Sequence, residues 1–314
     1  MRALVTGCAG FVGSNLVDEL LNAGDTVVGL DSFSPYYDPK IKLANLSSAL
    51  ANPKFTLVKL DLANDPLGEH FEGVDVVFHQ AAQPGVRFDW ANGMRDYSEA
   101  NVVATQRTLE ESRRQGVTRF VYASSSSVYG NRPTYPTPES QAPNPFSPYG
   151  VSKLAGEQLC SVYAQNWGFS TVSLRYFTVF GPRQRPDMAM HRLIQAAVTG
   201  SRFPLMGDGQ QRRDFTFVSD VVMANVLAAT SDVFPGSVFN IGGGSPVALV
   251  DVVSKLEEIT GNTIALLQEA APPGDVSATG ASIELAGVEL GWEPTTSLYD
   301  GLVQHVKWHQ STVK

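Results

Sequence analysis

The sequence predicts an α/β protein built on a doubly wound parallel sheet, with a smaller C-terminal lobe. Three observations carry this reading: short apolar runs alternate with segments of helical period, a glycine turn joins the first run to the first helix, and the alternation loosens after residue 180. Strands buried on both faces read as continuous apolar stretches, and the helices between them cover those faces, so the alternation specifies parallel pairing. In chain order the elements are "ALVTG", a helix over 11–23, "TVVGLD", "FTLVKLD", "VDVVFH", a helical stretch near 98–115, "RFVYAS", another near 149–167, and "STVSLRYF". Pro182, Pro186, Pro204 and glycine turns at 207 and 209 then interrupt the pattern. A strand "SVFNIGGG" and a helix from about 248 to 260 follow. The expected division is a sheet domain over 1–175, rejoined by late elements from about 214–245, and a second lobe over 176–314.

Composition narrows the function classes. The 314 residues are 43% hydrophobic and 17% charged, ordinary for a globular chain with a sizeable core. A net charge of −8 and a pI near 5.1 argue against nucleic acid as a partner, because a phosphate backbone needs a concentrated basic face. Cys8 and Cys160 lie far apart without CxxC spacing, which suggests neither a disulfide framework nor a zinc site and fits a reducing cytoplasm. The N-terminal "MRALVTGCAGFVGSNLV" is a poor signal peptide: three glycines interrupt it, and Asp18 and Glu19 follow at once. Nowhere does a run of about 18 apolar residues occur, so no membrane insertion is expected.

"VTGCAGFVG" places Gly7, Gly10 and Gly13 between the first strand and a helix. Glycines there permit the tight turn and let backbone amides approach a pyrophosphate at the positive end of the helix. The spacing is GxxGxxG rather than GxGxxG; its weight comes from position and from Asp31 at the end of the second strand. A carboxylate at that point accepts hydrogen bonds from adenosine ribose hydroxyls and repels a 2′-phosphate, which favours NAD over NADP.

"SPYGVSK" sets Tyr149 and Lys153 four residues apart at a helix start, hence one turn apart on one face. Ser147 and Pro148 read as N-cap and first helical residue, so the helix dipole and the Lys153 ammonium are both expected to pull the phenol down from about 10 and make it a general base. The run Ser124 to Ser127 falls where "RFVYA" ends, at the carboxyl edge of the sheet, where open α/β sheets bind ligands. Its hydroxyls are expected to face the cleft, one of them beside Tyr149.

Taken together, the segments "TGCAGFVGSNL", "LDSF", "DL" at 61–62, "HQAAQPGVR", "SSSSVYG", "SPYGVSK", "LRYFTVFGP", "RRDFTFVSDV" and "FNIGGG" resemble the extended short-chain dehydrogenase/reductases that act on nucleotide sugars, over nearly the whole chain. The resemblance implies a Rossmann NAD-binding domain, a nucleotide-sugar lobe and a homodimer. It assigns Ser125 as the catalytic hydroxyl, Tyr149 as base, and Lys153 as the ammonium that also holds the nicotinamide ribose. Around the cofactor it places Phe11, Val12, Ser32, Asp61, Leu62, Ala81, Ala82, Gln83, Asn101 and Tyr176, beside the glycines and Asp31. Around the substrate it places Ser126, Ser127, Thr178, Arg185, Arg213 and Asp275.

All members of such a family begin alike: the tyrosinate takes the proton of the sugar C4 hydroxyl while hydride leaves C4. Relatives that eliminate water follow the catalytic hydroxyl with an Asp–Glu pair, and relatives that decarboxylate a 4-keto uronate carry a Glu just before the Val-Tyr-Gly turn. Here both places are serine, Ser126 and Ser127, which hydrogen-bond a sugar oxygen but supply neither an efficient acid nor a charge that expels carboxylate. The 4-keto intermediate is then left to turn over and take the hydride back on its other face, a 4-epimerisation. "RPDMA" with Arg185, and "DSFSPYYDPKIKLANL", resemble the UDP-glucuronate 4-epimerases, where an arginine suits bidentate carboxylate recognition. Thr178 stands where glucose/galactose epimerases have Asn, and Gln184 where this subgroup often has Gly.

Rival readings are a UDP-glucose or UDP-N-acetylglucosamine 4-epimerase, a nucleotide-sugar dehydratase or decarboxylase, and a noncatalytic NAD-binding regulator. Ser126 and Ser127 oppose the dehydratase and decarboxylase; intact Ser125, Tyr149 and Lys153 oppose the regulator. His305 and His309 have i, i+4 spacing without a third ligand nearby in sequence, and "VQHVKWHQ" reads as a terminal amphipathic helix, so no metal is expected. His79, in the strand before "QAA", reads as a core residue.

Overall fold

A computed structural model describes residues 1–85, 93–131, 136–270 and 276–312. Strands β1 (Arg2–Thr6), β2 (Thr26–Asp31), β3 (Phe55–Lys59), β4 (Val76–His79), β5 (Arg119–Ser125) and β6 (Thr171–Tyr176) form, with a late strand, one sheet. After β6 come β7 (Thr178–Phe180), β8 (Phe203–Met206), β9 (Arg212–Arg213) and β10 (Phe215–Phe217); then β11 (Ser237–Ile241), β12 (Val247–Ala248) and β13 (Leu266–Glu269). The sheet has seven parallel strands in the order β11-β6-β5-β4-β1-β2-β3. The order reverses between β1 and β4, so both crevices beside that switch point open at the carboxyl ends of the strands.

Helices α1 (Phe11–Asn22), α2 (Pro39–Asn45), α3 (Ser47–Leu50), α4 (Met94–Tyr97) and α5 (Ala104–Arg114) fall within the first half of the chain, and α6 (Pro148–Trp167) spans its midpoint. The second half holds α7 (Ala189–Thr199), α8 (Val218–Thr230), α9 (Leu249–Thr260), α10 (Glu284–Leu290) and α11 (Leu298–Thr312). The period of two in the strands sorts the core into two layers. Ala3, Val5, Val76, Phe78 and Val121 face one side, against Leu16, Val17 and Leu20 of α1 and Val221 and Ala224 of α8. Leu4, Val77, Phe120 and Tyr122 face the other, against Leu109 of α5 and Cys160 and Tyr163 of α6. Burying a side chain of that size stabilises by roughly 1.5–3 kcal/mol, so apolar contact is the main attachment of the helices to each face.

Between β7 and β10 the chain leaves for the second lobe, whose core packs Leu193 and Ile194 of α7, Val252 and Leu256 of α9, and Leu302 and Val306 of α11 with Phe203 and Leu205 of β8, the strand that pairs with β13. β10 pairs with β7, and α8 and β11 then return to the sheet. α10 returns as well: Ala286, Leu290 and Trp292 belong to the core layer of α1 and α8.

Two local features depart from plain helical reading. Residues Ser98–Val103 form a π-helix before α5, an irregularity often found at functional sites. On α11, His305 and His309 are fully buried and face His191 of α7, with ring centroids 6.5 and 5.0 Å from His191. Among the described residues no three His, Cys, Asp or Glu side chains are arranged to hold a metal, and no helix is long and apolar enough to cross a membrane.

Candidate active site

A cleft of about 560 Å³ runs along the carboxyl ends of the strands. Its floor at one end is the β1–α1 turn. Gly7 has φ +64° and a Cβ there would stand 2.8 Å from the Ala81 Cα; a Cβ on Gly13 would stand 2.2 Å from the Gly7 carbonyl oxygen. Both positions therefore require glycine, and the backbone surface they leave is the cradle a pyrophosphate needs. Asp31, at the end of β2, is oriented by two backbone amides: Ala9 N–H donates to Oδ2 (3.1 Å) and Phe33 N–H to Oδ1 (2.7 Å). Phe11, Val12, Ser32, Asp61, Leu62, Ala81, Ala82 and Gln83 line the same end.

Asn101 is placed differently. It is buried on the π-helix and does not line the cleft; it accepts from Gln83 N–H (2.7 Å), donates to the Gln83 carbonyl (3.1 Å) and donates to Ser152 Oγ (2.9 Å). Its action on anything in the cleft passes through the Gln83 backbone. The π-turn aims its amide at that strand end, a signal that helical periodicity over 98–115 does not carry.

At the centre of the cleft stand Ser125, Tyr149 and Lys153. Ser147 caps α6, its Oγ accepting from Gly150 N–H at 3.1 Å, and Pro148 is the first helical residue. Ser127 N–H donates to Ser125 Oγ (3.1 Å), which leaves the Ser125 hydroxyl hydrogen for the Tyr149 phenol. The expected depression of the phenol does not occur in the protein alone. Desolvation raises Tyr149 above its ordinary value, against the Ser125 hydrogen bond and the Arg185 guanidinium, which pull it down. Burial also pulls the Lys153 ammonium down, to about 7, and its Nζ lies 4.4 Å from the Tyr122 ring centroid.

The four serines divide their work. Ser124 borders the cleft, yet its hydroxyl donates to Glu157 Oε2 at 2.8 Å, part of a buried network with Arg175, so it does not face a ligand as expected. Ser126 and Ser127 turn into the cleft on a 3-10 turn.

Across from them lie Thr178 at the start of β7, Tyr176 at the end of β6, Arg185 and Arg213. Tyr176 Oη donates to Gln80 Oε1 (3.2 Å) and is held by Asn225. Arg213 Nη1 donates to the Arg212 carbonyl (2.9 Å). Arg185 is fixed by Asp187: Nε and Nη2 stand 3.0 and 2.9 Å from the two carboxylate oxygens, and Tyr36 covers the guanidinium. The loop is tied to α1 through Arg183, which has φ +68° and pairs with Asp18 at 2.6 Å. Gln184 is buried, its amide donating to the Val179 carbonyl at 2.9 Å. Asp275, and Val86 and Arg87 of "HQAAQPGVR", lie outside the described residues.

Two cleft residues, Lys42 and Tyr36, have no counterpart among those read from the sequence, nor does Asp187 just outside the cleft. Lys42 on α2 is buried beside Asp31; Tyr36 and Asp187 frame Arg185. Only "SPYYDPK" hinted at the first two, since a Pro after an aspartate N-cap announces a short helix there.

A family model described as the NAD dependent epimerase/dehydratase family matches residues 3–242. The chain is 43% identical to an uncharacterized UDP-glucose epimerase of Bacillus subtilis (strain 168), over 99% of this chain and 98% of that one. It is 32% identical to a UDP-glucuronate 4-epimerase of Thermodesulfobacterium geofontis, over 99% and 97%. Its fold matches the crystal structure of a UDP-glucuronic acid 4-epimerase from Bacillus cereus in complex with UDP-glucuronic acid and NAD, with a TM-score of 0.95 and 40% identity over 99% of both chains.

Proposed function

The chain belongs to the NAD-dependent epimerase/dehydratase family, and from that premise we propose that it interconverts UDP-glucuronate and UDP-galacturonate by NAD-dependent 4-epimerisation. One observation carries the choice of reaction. The only carboxylates that line the cleft among the described residues, Asp31 and Asp61, stand at the cofactor end, whereas the end around Tyr149 presents serine and threonine hydroxyls and the Arg185 guanidinium. Elimination needs a carboxylic acid and base at the sugar; epimerisation needs only one base at C4 and room for the intermediate to turn.

The cradle at Gly7 and Gly13 and the oriented carboxylate of Asp31 fit NAD, which when bound supplies the hydride acceptor and donor. Tyr149 removes the C4 hydroxyl proton and returns one after the sugar has turned. Ser125 donates to the phenolate and stabilises it, while Lys153 is placed one turn along α6. Ser126 and Ser127 hydrogen-bond sugar oxygens on either face. Arg185 receives the C5 carboxylate and holds it away from the geometry perpendicular to the C4 carbonyl in which a β-keto acid loses CO₂.

Ser127→Glu tests this reading. It sets a carboxylate at the sugar end of the cleft, and part of the flux from UDP-glucuronate is expected to leave as CO₂ and a UDP-4-keto-pentose. A wild-type protein that itself releases substantial UDP-pentose would overturn the reading.

A further inference from the structure

Among the described residues only Phe33 (φ +54°) and Arg183 (φ +68°) have positive φ without being glycine. Such backbone is uncommon for an L side chain, persists only where its surroundings fix it, and clusters at functional sites. Phe33 lies in the loop between β2 and α2, Arg183 in the loop between β7 and α7, and the two loops meet at Arg185. The first loop is pinned along its length: Phe33 N–H donates to Asp31 Oδ1 at 2.7 Å, Lys42 Nζ donates to Ser34 Oγ at 3.3 Å, and Asp38 caps α2 by accepting from Lys40 N–H at 2.9 Å. The second is fastened to α1. Arg183 Nη1 donates to the Ser14 carbonyl at 3.0 Å, its Nη2 pairs with Asp18 at 2.6 Å, and Asn15 Nδ2 donates to the Pro182 carbonyl at 3.2 Å.

We propose that Tyr36 is a specificity-determining positioning residue: reaching from the cofactor side of the molecule, it holds the Arg185 guanidinium ready for a sugar carboxylate. This rests on the reading that Arg185 receives the C5 carboxylate, and deepens it. The Arg185 side chain is 18% exposed, and Asp187 of its own loop takes one edge of it through Nε and Nη2. Half-buried Tyr36 covers the guanidinium, its ring centroid 5.8 Å from Cζ, and its hydroxyl donates to Asp187 Oδ2 at 3.4 Å. Carboxylate and ring together leave one rigid orientation, with Nη1 and the outer hydrogen of Nη2 as the edge a second carboxylate takes. A long side chain that is mobile before binding is ordered at the expense of affinity, and one fixed beforehand is not. A neutral sugar makes no contact with that edge, so the gain falls to the uronate alone.

Calorimetry of UDP-glucuronate and UDP-glucose binding tests this in the purified holoprotein carrying Tyr149→Phe, in which turnover is stopped. Tyr36→Ala, Tyr36→Phe, Arg185→Ala and Tyr36→Ala/Arg185→Ala are compared, with thermal unfolding to confirm that each is folded. In Tyr36→Ala the ratio of UDP-glucuronate to UDP-glucose affinity is expected to fall about 2- to 12-fold, the range for ordering one long side chain at the moment of binding. Tyr36→Phe keeps the ring and should retain most of the ratio. Once Arg185→Ala is present, adding Tyr36→Ala is expected to change the ratio no further, because the ring has nothing left to hold. A folded Tyr36→Ala with an unchanged ratio, or a second drop of the same size on top of Arg185→Ala, overturns the proposal. If Arg185→Ala itself leaves the ratio unchanged, the uronate reading fails and takes this inference with it; a selective Arg185→Ala beside an unselective Tyr36→Ala removes this inference alone.

Discussion

Replacing Arg185 with alanine is expected to erase activity on a uronate while sparing a neutral sugar. Two of the five guanidinium N–H groups are committed to Asp187, at 3.0 and 2.9 Å. The remaining three, on Nη1 and Nη2, suffice to receive a second carboxylate. Losing a charge-assisted contact of this kind costs about 1.5–3 kcal/mol. The variant also strands Asp187, whose carboxylate would lie roughly 6–7 Å from the sugar carboxylate. At an effective dielectric of roughly 50, suited to a side chain as exposed as this one, that repulsion adds about 1 kcal/mol. The sum corresponds to a loss of roughly 10²–10³-fold in kcat/KM for UDP-glucuronate. UDP-glucose carries no carboxylate, and any turnover of it should change little. Removing Asp187 as well, in Arg185→Ala/Asp187→Ala, should recover about five-fold by lifting the repulsion. The assay is initial rates on both substrates, read by chromatography of the UDP-sugars. Equal losses on the two substrates, or a double variant no better than the single one, would refute the reasoning and leave Arg185 as a prop for the loop.

Tyr149→Phe should lower turnover by about 10²–10⁴-fold while UDP-sugar binding measured by calorimetry stays within a few-fold, and near-full activity would remove Tyr149 as the base. Gly13→Ala sets a Cβ 2.2 Å from the Gly7 carbonyl, so the purified variant should carry little NAD by absorbance of the denatured extract; full occupancy would contradict the cradle. Burial holds His79 and His305 down to about 3 and His309 to about 4, all below the ordinary 6.5 of the unfolded chain. Stability from keeping them neutral is therefore complete above pH 6.5 and is lost as pH falls below it, by about 2 kcal/mol per histidine at pH 5, so Tm should drop between pH 6.5 and 5 and drop less in His305→Phe.

The parts of the molecule that follow from local rules were legible in the sequence. β1, β2, β4, β5 and β6 announce themselves as apolar runs, and the start of α6 by a serine cap followed by proline, which sets Tyr149 and Lys153 on one face. What escaped depends on contacts between distant segments. The raised phenol reflects desolvation by the whole cleft, not its neighbour at i+4. Lys42 meets Asp31 only because α2 folds back on the glycine turn, and Ser124 turns from the cleft because Glu157 and Arg175 wait behind it. His191 reaches His305 and His309 from more than a hundred residues away, through the packing of α7 on α11, and no spacing in the chain encodes that meeting.

The central claim, epimerisation of a uronate with the hydride kept inside the protein, is tested most directly by proton NMR of the purified protein incubated with UDP-glucuronate, UDP-glucose and UDP-N-acetylglucosamine separately, with no cofactor added. UDP-galacturonate should form fastest and accumulate to equilibrium without loss of CO₂. Conversion of UDP-glucose in preference to UDP-glucuronate, or release of a UDP-pentose or a 4-keto-6-deoxy sugar, would contradict the account.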